Sequence, residues 1–371
     1  MQWDRLDASH TTNATWPIEG KKVHIYYIHV GKTGGLTLEY RIPIPIKRKQ
    51  LSFDCVIEEV NRSQSVEDAL NACDPQRAGD TAISRQIVAH YHLTAPTYSS
   101  EQKDWSLKLT NTILFTIRNP IDRIISAFHF QYNRGYVAKP KPREHYRTRD
   151  AGAIFYIDCF PNASLSTAIE ALQTDSHTQQ QQQQQLQDRT PISDECRTTA
   201  HRAFQGYVAP RLLKPSQRKF PHFLFNYQWY LERYMRSSHK PDVIVIRTSH
   251  LWNDTTAVDH ALGGGAIPFE QPGSAYTHGS ERFRHHANSI QRHHLTTLCC
   301  LLHRDLQAYQ WIVRMAMNLQ RADKEDAIRD LMDTCGVPQQ AMDEDSDLLA
   351  FLWEDWYYAT GCPNLLWAPA D

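Results

Sequence analysis

Apolar, β-branched and aromatic residues crowd three short stretches of the chain, Val23–Val30 (VHIYYIHV), Thr112–Ile117 (TILFTI) and Asp242–Arg247 (DVIVIR). Runs that are apolar at successive positions, instead of alternate ones, predict strands buried on both faces. A helical period follows each. After the second run, Ile121, Ile124, Ile125 and Phe128 recur at three- and four-residue spacing, behind Asn119 as N-cap and Pro120 at the first helical position. This spacing assigns those four to the buried face and leaves Asp122, Arg123, Ser126 and His129 on the opposite one. Strand then helix, repeated, predicts an α/β fold: three layers, with a P-loop-like central parallel sheet flanked by helices. In the helical C-terminal third, Leu295, Leu298, Leu302, Leu306, Tyr309 and Val313 keep 3,4,4,3,4 spacing, one continuous apolar stripe of core residues.

Residues 1–21 read as an N-terminal segment and residues 22–371 as one domain. The pattern is interrupted where Gln173–Glu195 reads QTDSHTQQQQQQQLQDRTPISDE. Its seven-glutamine tract has nothing to bury, so residues at about 172–196 are predicted to be a disordered surface insertion. Composition changes the picture little. The chain has 371 residues, 41% hydrophobic and 22% charged, with a net charge of −1, so nothing draws it broadly to nucleic acid and any anion site must be local. No run approaches the roughly 20 apolar residues of a membrane span, and MQWDRLDASHTTNATWPIEG lacks the apolar centre of a signal peptide. Membrane attachment would need an anchor absent from this chain. Oligomeric state is not readable.

Cysteine usage bears on compartment. The eight cysteines lack metal-ligand spacing, and four N-x-[ST] sequons occur, at Asn13, Asn61, Asn162 and Asn253. Together they predict the Golgi lumen or another part of the secretory pathway, a glycoprotein with exposed sequons, and at least one disulfide. Cys159 with Cys196, bracketing the glutamine insertion, is the preferred pair, because a crosslink across a long flexible loop removes most unfolded-state entropy. The absence of a signal or span leaves the cytoplasm as the alternative.

Two short segments carry candidate chemistry. The first, HVGKTGGLTLEY (His29–Tyr40), has Gly-Lys-Thr after a strand. A Walker loop needs another glycine five residues before Gly31, and that position is Tyr26, inside the predicted strand. The half that wraps a β/γ-phosphate is missing. What remains suits one phosphate or sulfate: Gly34 and Gly35 allow close approach, and the free N–H groups of a helix start point at the ligand. An ordinary strand-to-helix turn with a solvated lysine is the competing reading. In the second, TILFTIRNPIDRIISAFHFQYN (Thr112–Asn133), Arg118 at a strand end and Ser126 in the following helix could grip a phosphate. Equally, Arg118 could pair locally and Ser126 could be a packing residue.

Taken together, the two segments resemble the sulfotransferase superfamily, in particular the membrane-type carbohydrate sulfotransferases related to heparan sulfate 2-O-sulfotransferase. In those enzymes P-K-[ST]-G-G-[ST] holds the 5′-phosphosulfate of 3′-phosphoadenosine 5′-phosphosulfate (PAPS), and R-[DN]-P-x-x-R-x-x-S holds its 3′-phosphate. Here the two read GKTGGLT and RNPIDRIIS. The second matches at every defined position. The first has Gly31 for proline and Leu36 for serine or threonine, mild departures where backbone amides carry much of the contact. Looser likeness in DVIVIRTSHLWND, RFRHHANS and the helix ending AMNL extends it from Lys22 to about Leu319.

The resemblance implies a PAPS-dependent sulfotransferase, needing no metal, that acts on a hydroxyl-bearing acceptor, a glycan. Its nucleotide would be held by Lys32, Thr33, Gly34, Gly35, Leu36, Thr37, Arg118 and Ser126, with Arg282 and Arg284 of ERFRHHANS available for nucleotide phosphate or anionic acceptor. The Lys32 turn and the Arg118–Ser126 helix start would lie side by side. The related enzymes carry a histidine base in the stretch matching QIVAHYHL (Gln86–Leu93), which implies His90, with His92 as its substitute. At strand period two, both face the same side. Lys32 would stabilise charge on the bridging oxygen as the S–O bond breaks. Two other classes compete: a P-loop-like kinase, opposed by Tyr26, and a binding protein on the same fold that has lost catalysis.

Overall fold

The computed structural model describes residues 16, 22–30, 38, 53–63, 65–73, 81–91, 109–132, 154–160, 165–173, 192–204, 226–236, 241–265, 290–342 and 347–365. They fall into two compact units. One comprises Met1–Arg118, Tyr230–His278 and Gln310–Lys324; the other comprises Asn119–Trp229, Gly279–Tyr309 and Glu325–Asp371.

The first unit holds the sheet. In chain order its elements are β1 (Ile25–His29), α1 (Phe53–Ser63), α2 (Val66–Cys73), α3 (Ala82–Gln86), β2 (Ile87–Tyr91) and β3 (Thr112–Ile117). β3 and β4 (Asp242–Arg247) keep the bounds that the apolar runs predict. The strands pair in the order β2-β1-β3-β4, every pair parallel. All of β1 and β3 is buried, so both faces are covered and strict alternation is absent from the sequence. On one face Ile25 and Tyr27 pack with Ile87, Leu114, Ile244 and Ile246 against Leu38, Ile83 of α3 and Val258. On the other, Val88 of β2 meets Val56, Ala69 and Leu70 of α1 and α2, which the Cys55–Cys73 disulfide joins. Each fully buried Leu, Ile or Val contributes about 1.5–3 kcal/mol, and these contacts make the three layers.

Two devices finish this unit. The helix carrying Val258, Leu251–Ala261, ends in a Schellman motif: Gly264 N–H donates to the Asp259 carbonyl at 2.8 Å and Gly263 N–H to that of His260 at 3.0 Å, with Gly263 at φ +81°. Asp259 Oδ1 also accepts from the Ile83 amide at 2.9 Å, which fixes the start of α3 just ahead of β2. Beyond β4, the segment 316–318 closes the sheet edge. Ala316 bridges to Val243, and the Asn318 side chain accepts from the Val245 amide at 2.9 Å and donates to its carbonyl at 2.8 Å. An edge covered in this way cannot template pairing with another chain.

The second unit is helical. It contains α4 (Pro120–Tyr132), a π-helical turn at Ile154–Cys159, α5 (Leu165–Glu170) and α6 (Asp194–Phe204); α7 (Tyr227–Arg236) begins in it, and α8 is the Leu251–Ala261 helix of the sheet unit. Then follow α9 (Arg292–Leu301), α10 (His303–Met315) and α11 (Arg321–Cys335), each of these last two with residues assigned to both units, and α12 (Trp353–Ala359). Phe128, Phe155, Tyr156 and Phe204 pack ring on ring, and Tyr156 donates to the Phe128 carbonyl at 2.9 Å. The expected stripe is buried at Leu298, Leu302, Leu306, Tyr309 and Val313, but it is not one helix. The chain breaks at Leu302, between α9 and α10. All eight cysteines are paired: Cys55–Cys73, Cys159–Cys196 as expected, Cys299–Cys335 and Cys300–Cys362. The glutamine tract lies outside the described residues.

Candidate active site

The chain runs from β1 out to β2, then returns past β1 to β3 and on to β4. Its direction of travel across the sheet therefore reverses between β1 and β3. In an open parallel sheet such a reversal leaves a crevice at the carboxyl ends of the two strands, where ligands bind. The last pair of the β1–β3 ladder is His29↔Thr116, so the chain leaves the sheet at Val30 on one strand and at Ile117 on its neighbour. One candidate anion segment follows each exit.

Val30 and Leu38, which bracket the first segment, are both buried. Lys32, Thr33, Gly34, Gly35, Leu36 and Thr37 lie outside the described residues, as do His92, Arg282 and Arg284. The expected neighbourhood of the Lys32 turn and the Arg118–Ser126 helix start therefore involves residues outside those described. His90 is placed by its backbone, in β2 and in register with Tyr27 on the flank of β1 away from β3. Tyr27 itself is a core residue, its phenol pushed up by burial.

At the second exit, Arg118 is half-buried directly after β3. The carbonyl before it, of Ile117, accepts the Thr248 hydroxyl at 2.8 Å. Thr248 in turn follows an anchored residue. Arg247 clasps Asp254 through Nε and Nη2 at 2.9 and 2.8 Å and Asp323 through Nη1 at 2.8 Å, and these bonds, Asp254 first, hold its guanidinium above the usual range. Nothing in the strand pattern singled out Thr248; the signal lay in its place, one residue beyond the end of β4.

The second unit opens with Asn119, whose Oδ1 caps α4 by accepting the Ile121 amide at 3.0 Å. Its Nδ2 donates to Asp330 at 2.9 Å and Thr334 at 3.2 Å, both on α11. Ser126 is buried, 5% exposed. The expected polar face of α4 is corrected here: only Asp122 is exposed, and Arg123 is wholly buried. Arg123 reaches Asp305 at 3.3 Å and lies 5.8 Å from the Tyr227 ring centre, so it is an internal strut and no ligand for a phosphate. Burial pushes the Asp305 carboxyl up against the pull of Arg123 and of the Gln228 and Tyr227 amides. Desolvation offsets much of the attraction in such a pair, whose main effect is to fix position.

A family model for the sulfotransferase family matches residues 18–207, slightly over half of the chain. The chain belongs to the sulfotransferase family. The match spans both anion segments and the whole of β2 and α4. Searches of curated proteins and of solved structures give no match. Of the two anion segments of this sulfotransferase, the structure describes the one that begins at the half-buried Arg118. Among the described residues, no three His, Cys, Asp or Glu side chains are grouped to hold a metal ion, and no helix is long and apolar enough to cross a membrane.

Proposed function

We propose that this sulfotransferase moves a sulfuryl group from PAPS to a hydroxyl of a carbohydrate, as the membrane-type enzymes related to heparan sulfate 2-O-sulfotransferase do. The observation that carries this reading is the exit of the two anion segments from neighbouring strands at the sheet reversal. The Lys32–Thr37 turn would hold the 5′-phosphosulfate on its amides, and Arg118 with Ser126 the 3′-phosphate. When bound, PAPS supplies an activated sulfonate, whose bond to the phosphate oxygen is the one that breaks. His90, or His92 in its place, takes the proton of the acceptor hydroxyl as that oxygen bonds to sulfur, and the bisphosphate leaves with the electron pair. Lys32 neutralises charge on the leaving oxygen. Arg282 and Arg284 meet the nucleotide or an anionic acceptor.

The secretory lumen, and within it the Golgi, is the compartment we propose. Full pairing of the cysteines supports it, as does the exposure of Asn61 and Asn253, the two sequon asparagines among the described residues. The test is calorimetry with adenosine 3′,5′-bisphosphate against ATP with magnesium, followed by sulfate transfer from labelled PAPS over a panel of glycans and small alcohols. Preference for the bisphosphate and label in a glycan are expected. Preference for ATP would replace the reading with a kinase, and nucleotide binding without transfer to any acceptor would leave a binding protein.

A further inference from the structure

We infer that Thr248 is a positioning residue for the nucleotide: its hydroxyl fixes the peptide between Ile117 and Arg118, and so aims Arg118 at the 3′-phosphate. The inference rests on the proposed PAPS site. A strand end is where a ladder stops restraining the backbone. Ile117 pairs with Arg247 at the last step of the β3–β4 ladder, and beyond it the Thr248 hydroxyl donates to the Ile117 carbonyl at 2.8 Å. This bond carries the restraint one peptide further, to the residue whose guanidinium must be aimed. A restraint is as firm as its anchor. The Arg247 backbone amide donates to Asp254 Oδ2 at 2.8 Å, and its side chain makes three more bonds of 2.8–2.9 Å to Asp254 and Asp323. Thr248 is thus held from behind by a carboxylate only 6% exposed. A hydroxyl so placed acts on geometry without touching ligand.

The test is titration calorimetry with adenosine 3′,5′-bisphosphate and with adenosine 5′-phosphosulfate, which lacks the 3′-phosphate. Thr248→Val should weaken the bisphosphate about three- to tenfold, the effect of one hydrogen bond, and leave the phosphosulfate unchanged. Thr248→Ser, which keeps the donor, should restore wild-type affinity. In an Arg118→Ala background, Thr248→Val should add nothing, because it acts through Arg118. Equal weakening of both nucleotides, failure of serine to rescue, or full additivity with Arg118→Ala would each overturn the inference while leaving the nucleotide site standing. Absence of bisphosphate binding by the wild-type chain would remove the site itself, and the inference with it.

Discussion

Asn119→Asp isolates the link between α4 and α11 with a change of one atom. Aspartate caps helices as well as asparagine does, so the bond from the Ile121 amide survives. The loss is on the other side, where Nδ2 donates to Asp330 at 2.9 Å and to Thr334 at 3.2 Å. A second carboxylate there faces the first. Two like charges about 4 Å apart repel by about 1 kcal/mol in water and about 4 kcal/mol at the effective dielectric of a protein surface. The lost bond to a charged acceptor is worth a further 1.5–3 kcal/mol or so. Residue 119 is 8% exposed, but Asp330 is at the surface and can rotate towards water, which removes most of the repulsion. A net destabilisation of about 2 kcal/mol follows. Adding Asp330→Asn returns a donor to the pair and should recover most of it. Urea unfolding followed by tryptophan fluorescence, disulfides intact, measures both. A single variant within about 0.5 kcal/mol of wild type, or a double variant no more stable than the single, would refute the link.

Three further outcomes are expected. His90→Ala should lower turnover by about a hundredfold to ten-thousandfold with bisphosphate affinity kept, as a base acts only when the hydroxyl loses its proton; single-turnover transfer and calorimetry separate the two effects. Burial holds the His303 imidazole below its ordinary value of 6.5, against the pull of its bond to the Cys300 carbonyl and of Glu354. Its folded pKa is depressed, so its contribution to stability is present above 6.5 and lost as pH falls through the folded value; melting curves at falling pH should show the loss, and His303→Gln should flatten it. Replacing Cys159 and Cys196 by serine should cost about 3–4 kcal/mol by loop entropy, read as a shift in the urea midpoint with the other bridges intact.

The sequence made some of this legible and hid the rest for physical reasons. β3 and β4 could be bounded because strands buried on both faces read as solid apolar runs. Asn119 and Pro120 announced the start of α4, since capping chemistry is local. Arg123 was hidden: a helix period sorts residues by polarity, and the partner that lets an arginine be buried lies at Asp305, far along the chain. The break at Leu302 was equally invisible, because an apolar stripe survives a change from one helix to the next when both bury the same side. The two anion motifs were legible, and strand order places both their exits; the Lys32 turn, His92, Arg282 and Arg284 lie beyond the described residues.

The adjacent cysteines of α9 have a consequence for how the chain reaches its native state. Four thiols, those of Cys299, Cys300, Cys335 and Cys362, can pair in three ways, and only one joins Cys299 to the end of α11 and Cys300 to the segment after α12. Neighbouring helical residues point about 100° apart, so exchanging their partners would ask α9 to turn on its axis within a packed interior. A nascent chain that closes the wrong ring first is committed until thiolate exchange reopens it, over seconds to hours without a catalyst. Yield of active protein should therefore depend on a disulfide isomerase more than on oxidant, and material refolded without one should contain a slowly converting, fully oxidised but inactive fraction.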